Sequence, residues 1–76
     1  MEIQLGRYRH YKGKEYEVLG VVRHSENLEE LVLYKALYET EFGFGSLWVR
    51  PRKMFEETIV VGGVEVKRFQ PLADNM

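Results

Sequence analysis

Cysteine is absent from this 76-residue chain, which removes disulfide staples and thiolate metal sites together. A chain so short buries only roughly 60% of its unfolded surface, so packing and self-association are the stabilising devices left to it. The lack of cysteine also fits a reducing compartment, and the sequence reads as that of a soluble cytoplasmic protein. No window approaches the roughly 18 apolar residues of a membrane span, and the start, MEIQLGRYRHY, has no apolar run with a cleavage site. No membrane partner is expected. Aspartate is confined to Asp74, so a nucleophile-base-orienter constellation has little but glutamate to draw on. Linkers, repeats and low-complexity tracts are missing too, which predicts a single domain over residues 1–76. Nor is there a dominant charge. The net charge is −1, and a chain without a basic excess has no global field to draw in nucleic acid.

What the chain does have is regular punctuation. Lys12-Gly13, Ser25-Glu26-Asn27, Gly43-Phe44-Gly45-Ser46, Pro51 and Gly62-Gly63 separate β-branched, aromatic and apolar runs. Turns at this spacing predict an all-β fold, a small barrel of about five bent antiparallel strands. The strands are expected near residues 6–11, 15–24, 31–39 and 47–50, with a hairpin at 57–69. In that hairpin Gly62-Gly63 supplies the positive φ of a two-residue turn, setting Val61 opposite Val64, Ile59 opposite Val66 and Glu57 opposite Arg68. Simple alternation places Tyr16, Val18, Gly20 and Val22 on one face, with Gly20 a candidate bend. The run Leu31 to Tyr38 has helix-forming residues, but its place between hairpin signals favours a strand with Val32, Tyr34, Ala36 and Tyr38 on one side. One short helical turn is expected near 52–56 after Pro51, plugging the barrel with Met54 or Phe55. In the strand before it, Trp48 and Arg50 share one face with Arg52, and Leu47 and Val49 are expected to point to the core.

These residues carry a resemblance. Gly6, Tyr8, His10 to Gly13, Tyr16, Val18, Arg23 to Glu26, Leu37-Tyr38, Leu47 to Pro51, Met54-Phe55 and Arg68-Phe69 follow, in order and spacing, the pattern GxYxHYKG, YxV, RHSE, LY, LWVRP, MF, RF. The chain resembles a family of small, uncharacterised bacterial domains of unknown function. The resemblance spans nearly the whole chain and implies an SH3-like small barrel, without implying an activity. The Glu41 to Ser46 segment, rich in glycine and phenylalanine, is where this chain departs from the pattern.

Candidate chemistry is sparse. Ser25 beside His24 and Glu26 is better read as a turn cap than as a nucleophile, because adjacent strand residues point to opposite sides. His10 and His24 lack metal-ligand spacing, so no metal site and no cofactor are expected. His10 is expected to pack among Tyr8, Tyr11 and Tyr16. An exposed indole beside guanidinium groups can stack a planar ligand or capture an anion. The first functional expectation is therefore a non-catalytic binding module, its aromatic face (Tyr8, Tyr11, Tyr34, Tyr38, Trp48) flanked by charge. Its ligand-binding residues are Arg23, His24, Glu26, Tyr38, Trp48 and Arg50, and its partner a protein, a peptide or a small anionic ligand. Second comes a barrel binding single-stranded nucleic acid through Arg7, Arg9, Lys12 and Lys14. An enzyme using His24 and Glu26 ranks last. Exposed strand edges at Val60 and Phe69 leave room for a homodimer.

Overall fold

The structure is a computed structural model and describes residues 3–72. Seven strands and one helical turn follow in the order β1 (Gly6–His10), β2 (Glu15–Arg23), β3 (Glu30–Ala36), β4 (Leu47–Pro51), α1 (Arg52–Phe55), β5 (Thr58–Val61), β6 (Val64–Lys67) and β7 (Phe69–Pro71). The all-β expectation holds. Five strands form one antiparallel sheet in the order β4-β3-β2-β1-β7, and β5 pairs with β6 as a separate hairpin. The sheet curls but does not close into a full barrel, because β4 and β7 are its two edges.

β3 carries the clearest pattern. Burial alternates along it, with Val32, Tyr34 and Ala36 buried, as a strand with one face on the core requires. The helical alternative fails because each of these residues also finds a cross-strand partner: Tyr34 lies opposite Val18 and Ala36 opposite Tyr16 on β2. β2 itself departs from simple alternation. Its register slips between Val18 and Gly20, so that Val18 faces Tyr34 while Val21, not Val22, faces Val32. An extra residue in one strand is a β-bulge, and it exchanges the two faces beyond it. Val22 is accordingly exposed rather than aligned with Val18. Gly20 does mark the bend, but the strand changes face there as well as direction.

The core is aromatic. Tyr8, Val18, Val32, Tyr34, Phe55 and Phe69 form one buried cluster, and Phe55 stacks flat on Phe69 with centroids 4.2 Å apart and planes at 10°. Tyr8 meets Phe55 edge-on at 5.3 Å, and its hydroxyl donates to the Gln4 carbonyl at 2.7 Å. Tyr8 and Tyr34 therefore belong to the core, not to an exposed aromatic face. Of the two candidate plugs, Phe55 is 2% exposed and Met54 46%. Pro51 caps α1 from the position before its first residue, where its fixed φ suits the entry and the missing N–H is no loss.

The glycine hairpin forms with the expected register. Val61 pairs with Val64 and Ile59 with Val66, and Gly62 and Gly63 have φ of 58° and 82°. At its base Arg68 Nη2 donates to Glu57 Oε1 at 2.7 Å, the charge pair anticipated there. Burial is partial, since Val61 and Val64 at the tip are exposed. No helix among the described residues is long and apolar enough to cross a membrane.

Phe55→Ala removes a ring that touches three other core aromatics, and it is expected to destabilise the fold by about 3–5 kcal/mol, the usual cost of a large-to-small change in a core. Met54→Ala, at an exposed site, should stay within about 0.5 kcal/mol. Urea unfolding followed by circular dichroism measures both. Equal losses would show that the helical turn does not plug the sheet.

Candidate functional site

The register of β4 decides which side chains reach the inner face. Trp48 lies opposite Tyr34 and Arg50 opposite Val32, so both follow the buried residues of β3 inward. Leu47 and Val49 point outward and are 60% and 52% exposed. The expected polarity of β4 is thus reversed, because the core face of β3 dictates its neighbour's. Arg52 has left the strand for α1, where it pairs with Glu30 at 3.3 Å and with Glu56 at 3.4 Å.

The sheet's curl brings Arg50 on one edge strand against Phe69 on the other. Its guanidinium carbon lies 5.5 Å from the Phe69 ring centroid, within cation–π reach, and its Nε donates to the Tyr34 hydroxyl at 3.4 Å. Around this point gather groups contributed by four strands and the loop after β3. Tyr16 meets Tyr34 edge-on at 5.2 Å and Phe69 at 5.7 Å, and the Tyr16 and Tyr38 hydroxyls are 2.7 Å apart. Burial, followed by the bond to Tyr38, pushes the Tyr16 pKa well above the ordinary tyrosine value. Lys14 Nζ lies 4.7 Å above the Tyr38 ring. His10 stands edge-on to Phe69 at 4.9 Å and against Tyr11 at 4.6 Å, rather than among Tyr8 and Tyr16. Its Nδ1 accepts the Lys12 N–H at 3.2 Å.

Charge pairing sets Arg50 apart. Arg7 and Arg9 both reach Glu15, at 3.2 and 3.0 Å. Arg23 faces Glu30 at 3.8 Å, Arg52 faces Glu30 and Glu56, and Arg68 faces Glu57. Arg50 is the one arginine with no carboxylate partner among the described residues. A second unmet donor is close by in sequence to Phe69: Arg68 Nε is buried without a hydrogen-bond partner. Burial, then the positive charges of Arg50, Arg68 and Lys12, holds the His10 pKa below its ordinary value.

The six residues singled out from sequence separate into two groups. Tyr38, Trp48 and Arg50 lie on or beside the inner face, with Trp48 half-exposed, its Nε1 donating to Ser46 Oγ at 3.0 Å and its ring edge-on to Phe42 at 5.5 Å. Arg23, the last residue of β2, and His24 and Glu26 in the β2–β3 connection lie away from Trp48. Arg23 is opposite Glu30 while Trp48 is opposite Tyr34, four residues along β3, or roughly 13 Å at strand rise. There Arg23 Nη1 donates to the Leu28 carbonyl at 2.8 Å, and His24 Nδ1 accepts the Glu26 N–H at 3.1 Å. These side chains build a turn, tightened by Leu28 at φ 62°. Among the described residues no group of three His, Asp or Glu is placed to hold a metal.

Two open clefts of about 570 Å³ flank the cluster without containing Arg50. One lies between β1, β7 and the hairpin, bordered by His10, Tyr11, Val66 and Gln70. The other lies among Glu29, Glu30, Arg52, Lys53 and Glu56, a set that largely neutralises itself. Sequence reasoning did not include Tyr16, Phe69, Arg68 or His10 in the site. Only the pairing of β7 with β1, which sets Phe69 opposite His10, brings them to Arg50, and no local pattern announces it.

The His10 shift has a definite sign. As pH falls through about 6.5, the unfolded chain takes up this proton before the folded chain does. His10 therefore costs stability that grows as pH falls from about 6.5 to the folded pKa, stays constant below it, and is absent above neutrality. Ring titration by NMR should give a His10 pKa below 6.5, rising toward it in Arg50→Ala. A wild-type value above 6.5 would contradict the cationic surroundings.

Among curated proteins no sequence matches the chain. A similar solved structure is the crystal structure of a protein belonging to DUF1653 from Bordetella bronchiseptica, 34% identical, with a TM-score of 0.84 over 92% of this chain and 87% of that one. The family model described as protein of unknown function (DUF1653) matches residues 6–71, and the chain belongs to that family.

Proposed function

We propose that the domain is a non-catalytic binding module that recognises an anionic group, a carboxylate or phosphate carried by a small molecule or a peptide, with Arg50 as its anchor. The observation that carries this reading is the unpaired state of Arg50. Five of the six arginines hold glutamates, while the sixth is half-buried on an aromatic platform with one long hydrogen bond. A guanidinium has five N–H donors in a rigid fork suited to bidentate capture of an oxyanion. Lying on Phe69 and against Tyr34, it is also held in place before a ligand arrives, which lowers the ordering cost of binding. Trp48 and Tyr38 at the rim offer rings to a planar ligand body. The nucleic-acid reading has less support, because Arg7 and Arg9, two of the four cations it relied on, are both engaged by Glu15.

A thermal-shift screen with phosphate, citrate, aromatic carboxylates and nucleoside monophosphates tests the reading. A ligand at ten times its Kd stabilises by about 1.4 kcal/mol, and each kcal/mol raises the Tm of a domain this size by about 4–8 °C. Arg50→Ala should abolish the response and Arg50→Lys should weaken it, while Arg23→Ala, tied into its turn, should leave it intact. Absence of any anion response, or an equal response in Arg50→Ala, would exclude this site.

A further inference from the structure

β4 is an edge of the sheet, and its free side can be read group by group. The Ala36 N–H donates to the Ser46 carbonyl at 3.0 Å, and the β3–β4 register runs from there through Tyr34 opposite Trp48 to Leu31 opposite Pro51. Hydrogen-bonded and non-hydrogen-bonded pairs alternate in an antiparallel ladder. Ser46, Trp48 and Arg50 therefore turn their backbone groups toward β3. Leu47, Val49 and Pro51 turn theirs to the open edge, where Leu47 and Val49 supply N–H donors and Pro51 supplies none.

That edge is the longest open one among the described strands. Open edges are usually blunted by shortness, by proline or by charge. β7 has three residues and ends in Pro71, and β6 carries Glu65 and Lys67. β4 has five residues with no lysine or acid. The outer face shows the same contrast. Across β1 to β3 it is covered by paired charges, Arg7 and Arg9 with Glu15 and Glu17 with Lys35. At β4 it becomes apolar. Leu47 and Val49 are 60% and 52% exposed there, and Phe42 and Phe44 in the loop before β4 are 66% and 65% exposed.

We infer that the chain forms a two-fold dimer in which β4 pairs antiparallel with β4 of a second copy, with Trp48 on the axis. The occupant follows from the edge itself. In this register Leu47 is opposite Val49 of the second copy and the reverse, so both N–H donors and both carbonyls of each strand are satisfied by their own counterparts. An isologous contact needs that self-complementarity. Moving the axis to Val49 would set Pro51 opposite Leu47, where the Leu47 carbonyl finds no donor. On the outer face Leu47 packs against Val49 across the strands, and on the inner face the two indoles meet. Self-association also suits a chain with seven buried apolar residues in its core among the described residues. The inference does not rest on anion binding at Arg50, since it is read from mass and cross-linking rather than from a ligand.

Sedimentation velocity of the full chain at micromolar concentration should give twice the monomer mass. Val49→Pro removes an outward N–H that β3 does not use, and it should yield a monomer with an unchanged strand spectrum. The chain has no native cysteine, so single substitutions report the register. Under mild oxidation Trp48→Cys should cross-link readily, since a non-hydrogen-bonded pair places Cα atoms about 4.5 Å apart. Val49→Cys should cross-link poorly. A monomeric wild type, a dimer untouched by Val49→Pro, or faster cross-linking through Val49→Cys than through Trp48→Cys would overturn the proposal. If Val49→Pro does not fold, the two cysteine variants decide it.

Discussion

The stack of Phe55 on Phe69 is the contact on which the rest of the molecule depends. Phe55 comes from the helical turn after β4 and Phe69 from β7, the far edge of the sheet, so one pair of rings at 4.2 Å joins the two ends of an open, curled sheet. No ladder of hydrogen bonds closes it. Side-chain packing does the work that barrel closure would otherwise do, and Tyr8 and Tyr34 complete the plug from β1 and β3. The same ring that seals the core also floors the candidate site, since Arg50 and His10 both rest on Phe69. The core and the candidate site therefore share a residue.

Charge is distributed with a comparable economy. Acidic and basic segments alternate along the chain, and folding brings them together as a largely self-neutralised surface: Glu15 takes two arginines, Glu30 takes two, and Glu57 closes the hairpin. Exposed pairs of this kind contribute little stability each. Their consequence is subtractive. They leave Arg50, on the inner face of β4, as the one arginine without an acid partner among the described residues. On the outer side of the same strand the charge ladder stops and apolar side chains begin. Both unusual surfaces of the domain thus belong to one strand, reached from opposite faces.

Much of the fold was legible because its signals are local. Gly62-Gly63 specified the hairpin, its register and the Glu57–Arg68 pair, since a two-residue turn with positive φ permits one alignment. Alternation along Leu31 to Tyr38 sorted β3 into its two faces, without revealing that the one carrying Tyr34 is buried. The faces of β4 and the far half of β2 were misassigned for one reason. Alternation gives two sets of residues but not which set faces inward, and a single bulged residue at Leu19 or a partner's register reverses the choice. The candidate site residues divided accordingly. Trp48 and Arg50 stand out by type, but the proximity of Arg23, His24 and Glu26 to them was only an assumption about how the strands align.

The amino-acid sequence by itself determined the all-β class, the hairpin and the helical turn at Pro51, because each rests on residues a few positions apart whose backbone preferences hold in any context, and it carried the family in the order and spacing of its motifs. Tertiary structure alone decided that Arg50 has no acid partner, that Phe69 lies beneath it and that β4 has an open edge. Those properties depend on contacts between residues far apart in the chain, and on which partners are already taken. Pairing is a competition among all the charges and edges of the folded molecule, so no segment read alone reveals which one is left over.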